Sequence, residues 1–296
     1  MPATTRHGIA IFGITGRMGQ SLVRCLAETA EGAVRAGAAG PSAGAAEQGT
    51  AAARSVRLAL SGALASAGSD KLGQDAAQDG RPSGVRITAD IDEALRGAAV
   101  AVDFSRAPFV IEHAQACVRT GVPLLVGATG FDAPVRAALE AASQRIALLI
   151  APNTSVGVGV MAQLVRLATL SLGAGFDVEI AEAHHKLKRD APSGTALVLA
   201  EVVANARGET LANIAVFDRH GVLETREAGS IGFSVVRAGD IVGEHTVIFA
   251  GAGERLEITH RATDRATFAR GALRAAQWLV GRPAGLYGMA DVLRPR

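Results

Sequence analysis

Only two cysteines occur in 296 residues, Cys25 and Cys117. No disulfide framework can be built from them, and they read as buried thiols of a reducing compartment. Aromatic residues are scarce: nine Phe, one Tyr and one Trp. Thirty Lys and Arg against 28 Asp and Glu leave a net charge of +2, with no dense basic stripe. The chain therefore lacks both the stacking platforms and the positive face that nucleic-acid binding requires. No apolar run approaches the roughly 18 residues of a membrane span, and the opening MPATTRHGIAIFG has too short an apolar stretch for a secretory signal. A cytoplasmic protein with neither nucleic acid nor membrane as partner is the expectation.

What is present suits a packed core. Hydrophobic residues make up 49% of the chain and mean hydropathy is +0.25, which excludes a disordered chain. The length fits two modest domains or one large one. Short apolar runs at 9–12, 56–64, 99–104, 122–126 and 146–150 read as buried strands, with helical periodicity after 16, at 108–119 and at 134–144. Strands alternating with helices at this spacing predict a doubly wound parallel sheet, an α/β fold. From 31 to 54 the composition collapses to Ala, Gly, Ser and Glu, and an exposed insertion is expected there. After Asn153 the pattern changes. Helices at 159–172 and 195–206 accompany strands at 176–182, 230–237, 244–250 and 255–261, with turn signals at 238–240 and 251–253. The last three strands have no helix between them, so a mostly antiparallel sheet is expected. The helix at 267–280 is apolar enough to return to the first domain. The expected division is 1–153 with 266–296, and 154–265.

Gly13, Gly16 and Gly19 follow the first strand and open the first helix. Glycines here let the backbone approach a pyrophosphate whose charge rests on the helix N-terminus. The acidic residue that usually meets the adenosine ribose belongs after the second strand, where Leu64-Ala65-Ser66 offers none. Asp70 lies further along the loop, and Arg17 in the glycine loop is the nearest cation. Gly127-Ala128-Thr129 and Ala151-Pro152-Asn153-Thr154 fall at carboxyl ends of strands, where open α/β sheets bind ligands.

The densest reactive patch is Glu182-Ala183-His184-His185-Lys186-Leu187-Lys188. An imidazole titrates near neutrality and an ammonium group favours developing negative charge, so His184 and Lys188 suit a reduction coupled to proton transfer. A solvated basic loop would have the same composition. Adjacent His184 and His185 diverge on a strand, and no third ligand is spaced for zinc, so no metal is expected. Asp190-Ala191-Pro192-Ser193-Gly194-Thr195 opens a helix that Ser193 or Thr195 can cap, and the free amides there could take a substrate carboxylate. An ordinary cap is the plainer alternative. Arg237-Ala238-Gly239-Asp240 reads as a turn.

Together these residues resemble the 4-hydroxy-tetrahydrodipicolinate reductases. The resemblance is carried by GRMG at 16–19, Asp103-Phe104-Ser105, GATGF at 127–131, APNTSVGVG at 151–159 and EAHHKLKRDAPSGTAL at 182–197. It continues in RAGDIVGEHTVIFAGAGERLEITHRATDRATFARGAL at 237–273 and GLYGMADVL at 285–293. It implies a Rossmann-like nucleotide domain and an α+β substrate domain, assembled as a homotetramer through the substrate-domain sheets. It also implies reduction of a small dicarboxylate, 4-hydroxy-tetrahydrodipicolinate, with loss of water, by NADH or NADPH, on the diaminopimelate route to lysine. Carried over by position, His184 is the proton donor, Lys188 the second catalytic residue, and His185, Gly194 and Thr195 bind substrate. Gly13, Ile14, Thr15, Gly16, Arg17 and Met18 hold the pyrophosphate, with Gly127, Ala128, Thr129 and Ala151, Pro152, Asn153, Thr154 along the rest of the cofactor. Several positions depart from the family pattern. Ala65-Ser66 stands where Glu-Arg is usual, Ala128 replaces a Thr, Thr154 a bulky apolar residue and Gly159 an Asn. Two other functions remain open: a related amino-acid or semialdehyde dehydrogenase, and a nucleotide-binding sensor without turnover.

Overall fold

The structure, a computed structural model, describes residues 6–38, 57–221 and 225–294. The chain begins with β1 (Arg6–Phe12), α1 (Arg17–Ala38), β2 (Arg57–Leu64), β3 (Ile87–Thr88), α2 (Ile91–Leu95) and β4 (Ala98–Asp103). It continues with α3 (Val110–Thr120), β5 (Leu124–Val126), α4 (Ala133–Ser143) and β6 (Ala147–Ile150). The middle of the chain forms α5 (Val156–Leu172), β7 (Asp177–His184), α6 (Gly194–Arg207), α7 (Leu211–Ile214) and β8 (Ala215–Val216). Then come β9 (Ile231–Arg237), β10 (Gly243–Ala250) and β11 (Arg255–Ala262), and the chain closes with α8 (Ala266–Leu279), β12 (Gly285–Tyr287) and α9 (Met289–Val292). Two compact units result. One holds the residues through Thr154 together with Phe268–Val292; the other holds Ser155–Thr267 and takes in Leu293.

The first unit is a seven-stranded sheet in the order β12-β6-β5-β4-β1-β2-β3, parallel throughout. Its central strands are apolar on both faces: Ile9, Ala10, Ile11, Phe12, Val100, Val102, Leu124 and Leu148 are fully buried. That is the pattern of a sheet covered by helices on both sides. The order reverses between β1 and β4, so the chain winds one way through β2 and the other way through β4. Phe12 pairs in register with Leu64 on one side and Asp103 on the other, so three carboxyl ends stand level at this switch point. Residues 31–38 of the expected insertion belong to α1; the remainder of it, 39–54, lies outside the described residues.

The second unit is a five-stranded sheet in the order β11-β10-β7-β9-β8. It is evenly mixed, which corrects the expectation of a mostly antiparallel sheet. Strands β10–β11 and β10–β7 are antiparallel, while β7–β9 and β8–β9 are parallel. The reason is α6, which carries the chain back across the sheet between β7 and β9 and so makes a crossover rather than a hairpin. The turn signal at 238–240 does not join neighbours either, because β7 lies between β9 and β10. That connection instead passes over the end of β7, with the Ala238 amide donating to the His184 carbonyl at 2.9 Å.

Helix α5 with its short continuation, Val156–Gly175, is long and apolar enough to pass as a membrane span by length and composition. The expectation of no such run is corrected to that extent. Within the second unit it packs as an ordinary sheet-covering helix, burying Val158, Met161, Val165 and Thr169.

Candidate active site

Strand β7 buries every second residue, so Val178, Ile180, Glu182 and His184 share the helix-covered face. His245 on β10 stands directly opposite Glu182 in the register and is buried beside them. The Glu182 side chain is fully buried and takes four hydrogen bonds. One carboxylate oxygen accepts from His184 Nδ1 at 2.6 Å and from Arg237 Nη1 at 2.7 Å. The other accepts from Arg237 Nη2 at 2.8 Å and from the Ser193 amide at 2.9 Å. Burial alone would raise this carboxyl. The two-pronged Arg237 contact, with the His184 and Ser193 bonds, outweighs burial and holds Glu182 below the usual carboxylate range.

Burial lowers His184, the Glu182 hydrogen bond raises it, and the charges of Lys188 and Arg237 lower it again. The net shift is downward. Its Nδ1 is committed to Glu182, so chemistry at this ring belongs to Nε2, which lies over Gly243. His245 meets the His184 ring edge-on with centroids 5.1 Å apart. Burial, with His184 next, pushes His245 down to about 4, so it is a neutral ring at ordinary pH. Its Nε2 lies 3.0 Å from Ser193 Oγ, the same oxygen that caps α6 by accepting from the Ala196 amide at 3.2 Å.

Lys188 lies partly buried on the loop after β7 and pairs with Asp190 at 2.9 Å. Arg237 also donates to the Asp190 carbonyl at 2.6 Å, which fixes that loop against the sheet. Gly194 and Thr195 form the first turn of α6 beyond the Ser193 cap, Gly194 exposed and Thr195 half-buried; His185 is half-buried one residue past the strand. One unit thus brings together His184, His185, Lys188, Gly194 and Thr195. Three further residues complete the cluster: Glu182, Arg237 and His245. Arg237 had read as a turn residue. The signal for Glu182 is its spacing, two residues before His184 on a strand, which puts both on one face.

In the first unit, the glycine turn sits at the switch point. Gly13 has φ +74°, and a Cβ there would come within 3.0 Å of the Phe104 backbone. A Cβ at Gly19 would press at 2.6 Å on the carbonyls of Gly13 and Ile14. Only bare backbone fits this cradle, which lets α1 begin directly against β1, as a pyrophosphate site needs. Beside it lies a cavity of about 300 Å³ lined by Gly13, Thr15, Gly16, Leu64, Ala65, Ser66 and the segment 104–106, with Phe109 and His113. These residues fit a nicotinamide dinucleotide. Ile14 is fully buried and offers backbone only, Met18 is half-buried, and Arg17 is exposed at the helix start. The segments 127–129 and 151–154 lie further along the same strand-end edge, outside that cavity. The Gly127 amide is held by the Asp103 carbonyl and the Ala151 amide by the Val126 carbonyl. Ala128 is buried, Thr129 and Pro152 are exposed, and Asn153 is half-buried. Thr154 is buried with its hydroxyl donating to the Phe268 carbonyl at 2.7 Å. A larger cavity of about 820 Å³ opens at the opposite, amino-terminal ends of β1 and β2 and contains none of these residues.

A parallel sheet with a glycine cradle at its switch point, joined to a mixed-sheet unit with a buried Glu–His–Arg cluster, is the architecture of a two-unit nucleotide-dependent oxidoreductase. The chain belongs to the dihydrodipicolinate reductase family: the family's N-terminal part matches residues 47–154 and its C-terminal part residues 157–293. It is 50% identical over 287 residues to a 4-hydroxy-tetrahydrodipicolinate reductase of Anaeromyxobacter dehalogenans, covering 96% of this chain and 97% of that one. It is 47% identical over 294 residues to the protein of that name from Bordetella parapertussis, covering 99% of each. The fold is shared with a dipicolinate-bound dihydrodipicolinate reductase from Paenisporosarcina sp. TG-14, with a TM-score of 0.67 at 22% identity over 98% of this chain and all of that one. The chain is therefore an enzyme, an oxidoreductase of a family that uses NADH or NADPH and serves lysine and diaminopimelate biosynthesis.

Proposed function

We propose that this enzyme reduces 4-hydroxy-tetrahydrodipicolinate, with loss of water, to tetrahydrodipicolinate. The observation that carries this is the second unit's cluster: a histidine backed by a buried carboxylate, next to a lysine and the N-terminus of α6. A dicarboxylate needs separate anion partners, and the amides of Gly194 and Thr195, with His185 and Lys188, supply them. Bound NADH or NADPH supplies hydride to C4 of the dehydrated ring.

The protein's part is positioning and proton transfer. Glu182 fixes the His184 ring through Nδ1 and favours its charged form, leaving Nε2 to give the proton. Burial lowers the pKa of His184, and a dianionic substrate bound beside it favours the imidazolium, so substrate binding strengthens the ring's hold on the proton it is to give. Lys188 adds positive charge that is moderated by Asp190. The first unit is the dinucleotide-binding domain, with 13–18, 127–129 and 151–154 along the cofactor. The second is the substrate-binding and oligomerisation domain, and the protein works in the cytoplasm as a homotetramer.

His184→Gln is expected to lower kcat by roughly 10²–10⁴, as for loss of a general acid, with nucleotide affinity unchanged. A fall of less than about threefold would remove His184 from proton transfer.

A further inference from the structure

We propose that this enzyme selects NADPH over NADH, with Arg106 and Ser66 meeting the 2′-phosphate. The proposal rests on the glycine turn being the nucleotide cradle. The end of β2 is tied to that turn, because the Leu64 carbonyl accepts from the amides of both Gly13 (3.0 Å) and Ile14 (3.1 Å). Ala65 and Ser66 are thereby held beside the turn, where the adenosine ribose lies in a sheet of this winding. Across β1, the chain leaving β4 is bent by two bonds. The Phe104 amide donates to the Phe12 carbonyl at 3.2 Å, and the Ser105 amide donates to Asp103 Oδ1 at 2.7 Å. That bend brings Arg106 onto the lining of the same 300 Å³ cavity as Ser66.

Among the described residues, no carboxylate side chain lines this cavity. Asp103, just beneath it, is fully buried, and its other oxygen is held by His113 Nδ1 at 2.7 Å. Selection of NADH rests on an acid that accepts from the ribose hydroxyls and repels a 2′-phosphate. No such acid stands on the lining among the described residues. The cation is Arg106, exposed, resting over the Phe109 ring at 5.3 Å, and without a carboxylate partner among the described residues. A guanidinium presents a flat fork of donors to a phosphate, and the Ser66 hydroxyl adds a neutral one. Arg17 is not on the cavity lining and does not compete for the role.

Calorimetric titration of the full chain with NADPH and with NADH, without substrate, tests this independently of turnover. NADPH is expected to bind at least about tenfold more tightly, the strength of one or more hydrogen bonds to a charged group. Arg106→Ala should erase most of that difference while leaving NADH within about threefold, and Arg106→Lys should restore part of it. Equal binding of the two nucleotides by the wild type would overturn the proposal. So would equal weakening of both in Arg106→Ala, which would make the arginine a platform for adenine alone. Binding of neither nucleotide would overturn the cradle itself, a result distinct from loss of selectivity.

Discussion

Glu182 links His184, Arg237 and the Ser193 amide although it does not stand on the loop with the other reactive residues. A buried carboxylate is costly unless paired and hydrogen-bonded, and here Arg237, His184 and the Ser193 amide meet both of its oxygens. The arrangement has a consequence for pH. With His184 as the proposed proton donor, kcat/KM is expected to fall as pH rises through the His184 pKa, which lies below its usual 6.5. Glu182 opposes that lowering. In Glu182→Gln the opposing contact is lost while the Arg237 charge remains, so the limb is expected to move to still lower pH. A kcat/KM profile of the two proteins checks it; a limb that stays or moves upward would free His184 from Glu182. Of these residues, His184 and Lys188 are legible in the sequence because their loop is dense in reactive groups. Arg237 and His245 are not. They lie 53 and 61 positions beyond His184, and only the pairing of β7 with β9 and β10 brings them in.

Among the elements, the strands of the first unit are readable because a parallel sheet covered on both faces must be apolar on both, which leaves unbroken runs such as 9–12 and 99–102. The five-residue α2 and the two-residue β3 are too short to show a period, and the mixed order of the second sheet depends on a crossover that strand patterns alone do not reveal. Close packing between elements can be tested at Gly62 on β2. A methyl group there would overlap the Ala94 carbonyl of α2, which is backbone and cannot swing aside. Gly62→Ala is expected to destabilise the protein by about 1–3 kcal/mol, the usual range for overpacking, as read by urea unfolding. An unchanged midpoint would mean that α2 is not seated on β2 as described.

For the whole molecule, the second sheet has one face covered by helices and one face without a partner among the described residues. The alternation that buries Glu182 and His184 turns Ala181 and Ala183 of β7 the other way, along with Thr246 and Ile248 of β10 and Val236 of β9. Small and β-branched side chains on an open sheet suit packing against another sheet, which supports this face as the contact of the proposed homotetramer. Val236, half exposed at 50%, is a direct probe. The wild type is expected to sediment as the proposed tetramer and Val236→Asp as smaller species; a variant that sediments as the wild type does would place the interface elsewhere. The most direct test of the whole account follows the nicotinamide absorbance of purified enzyme with freshly generated 4-hydroxy-tetrahydrodipicolinate. NADPH is expected to be oxidised only when that substrate is present, with a higher kcat/KM than NADH. A folded protein that binds nucleotide but oxidises neither cofactor with this substrate would contradict the assignment.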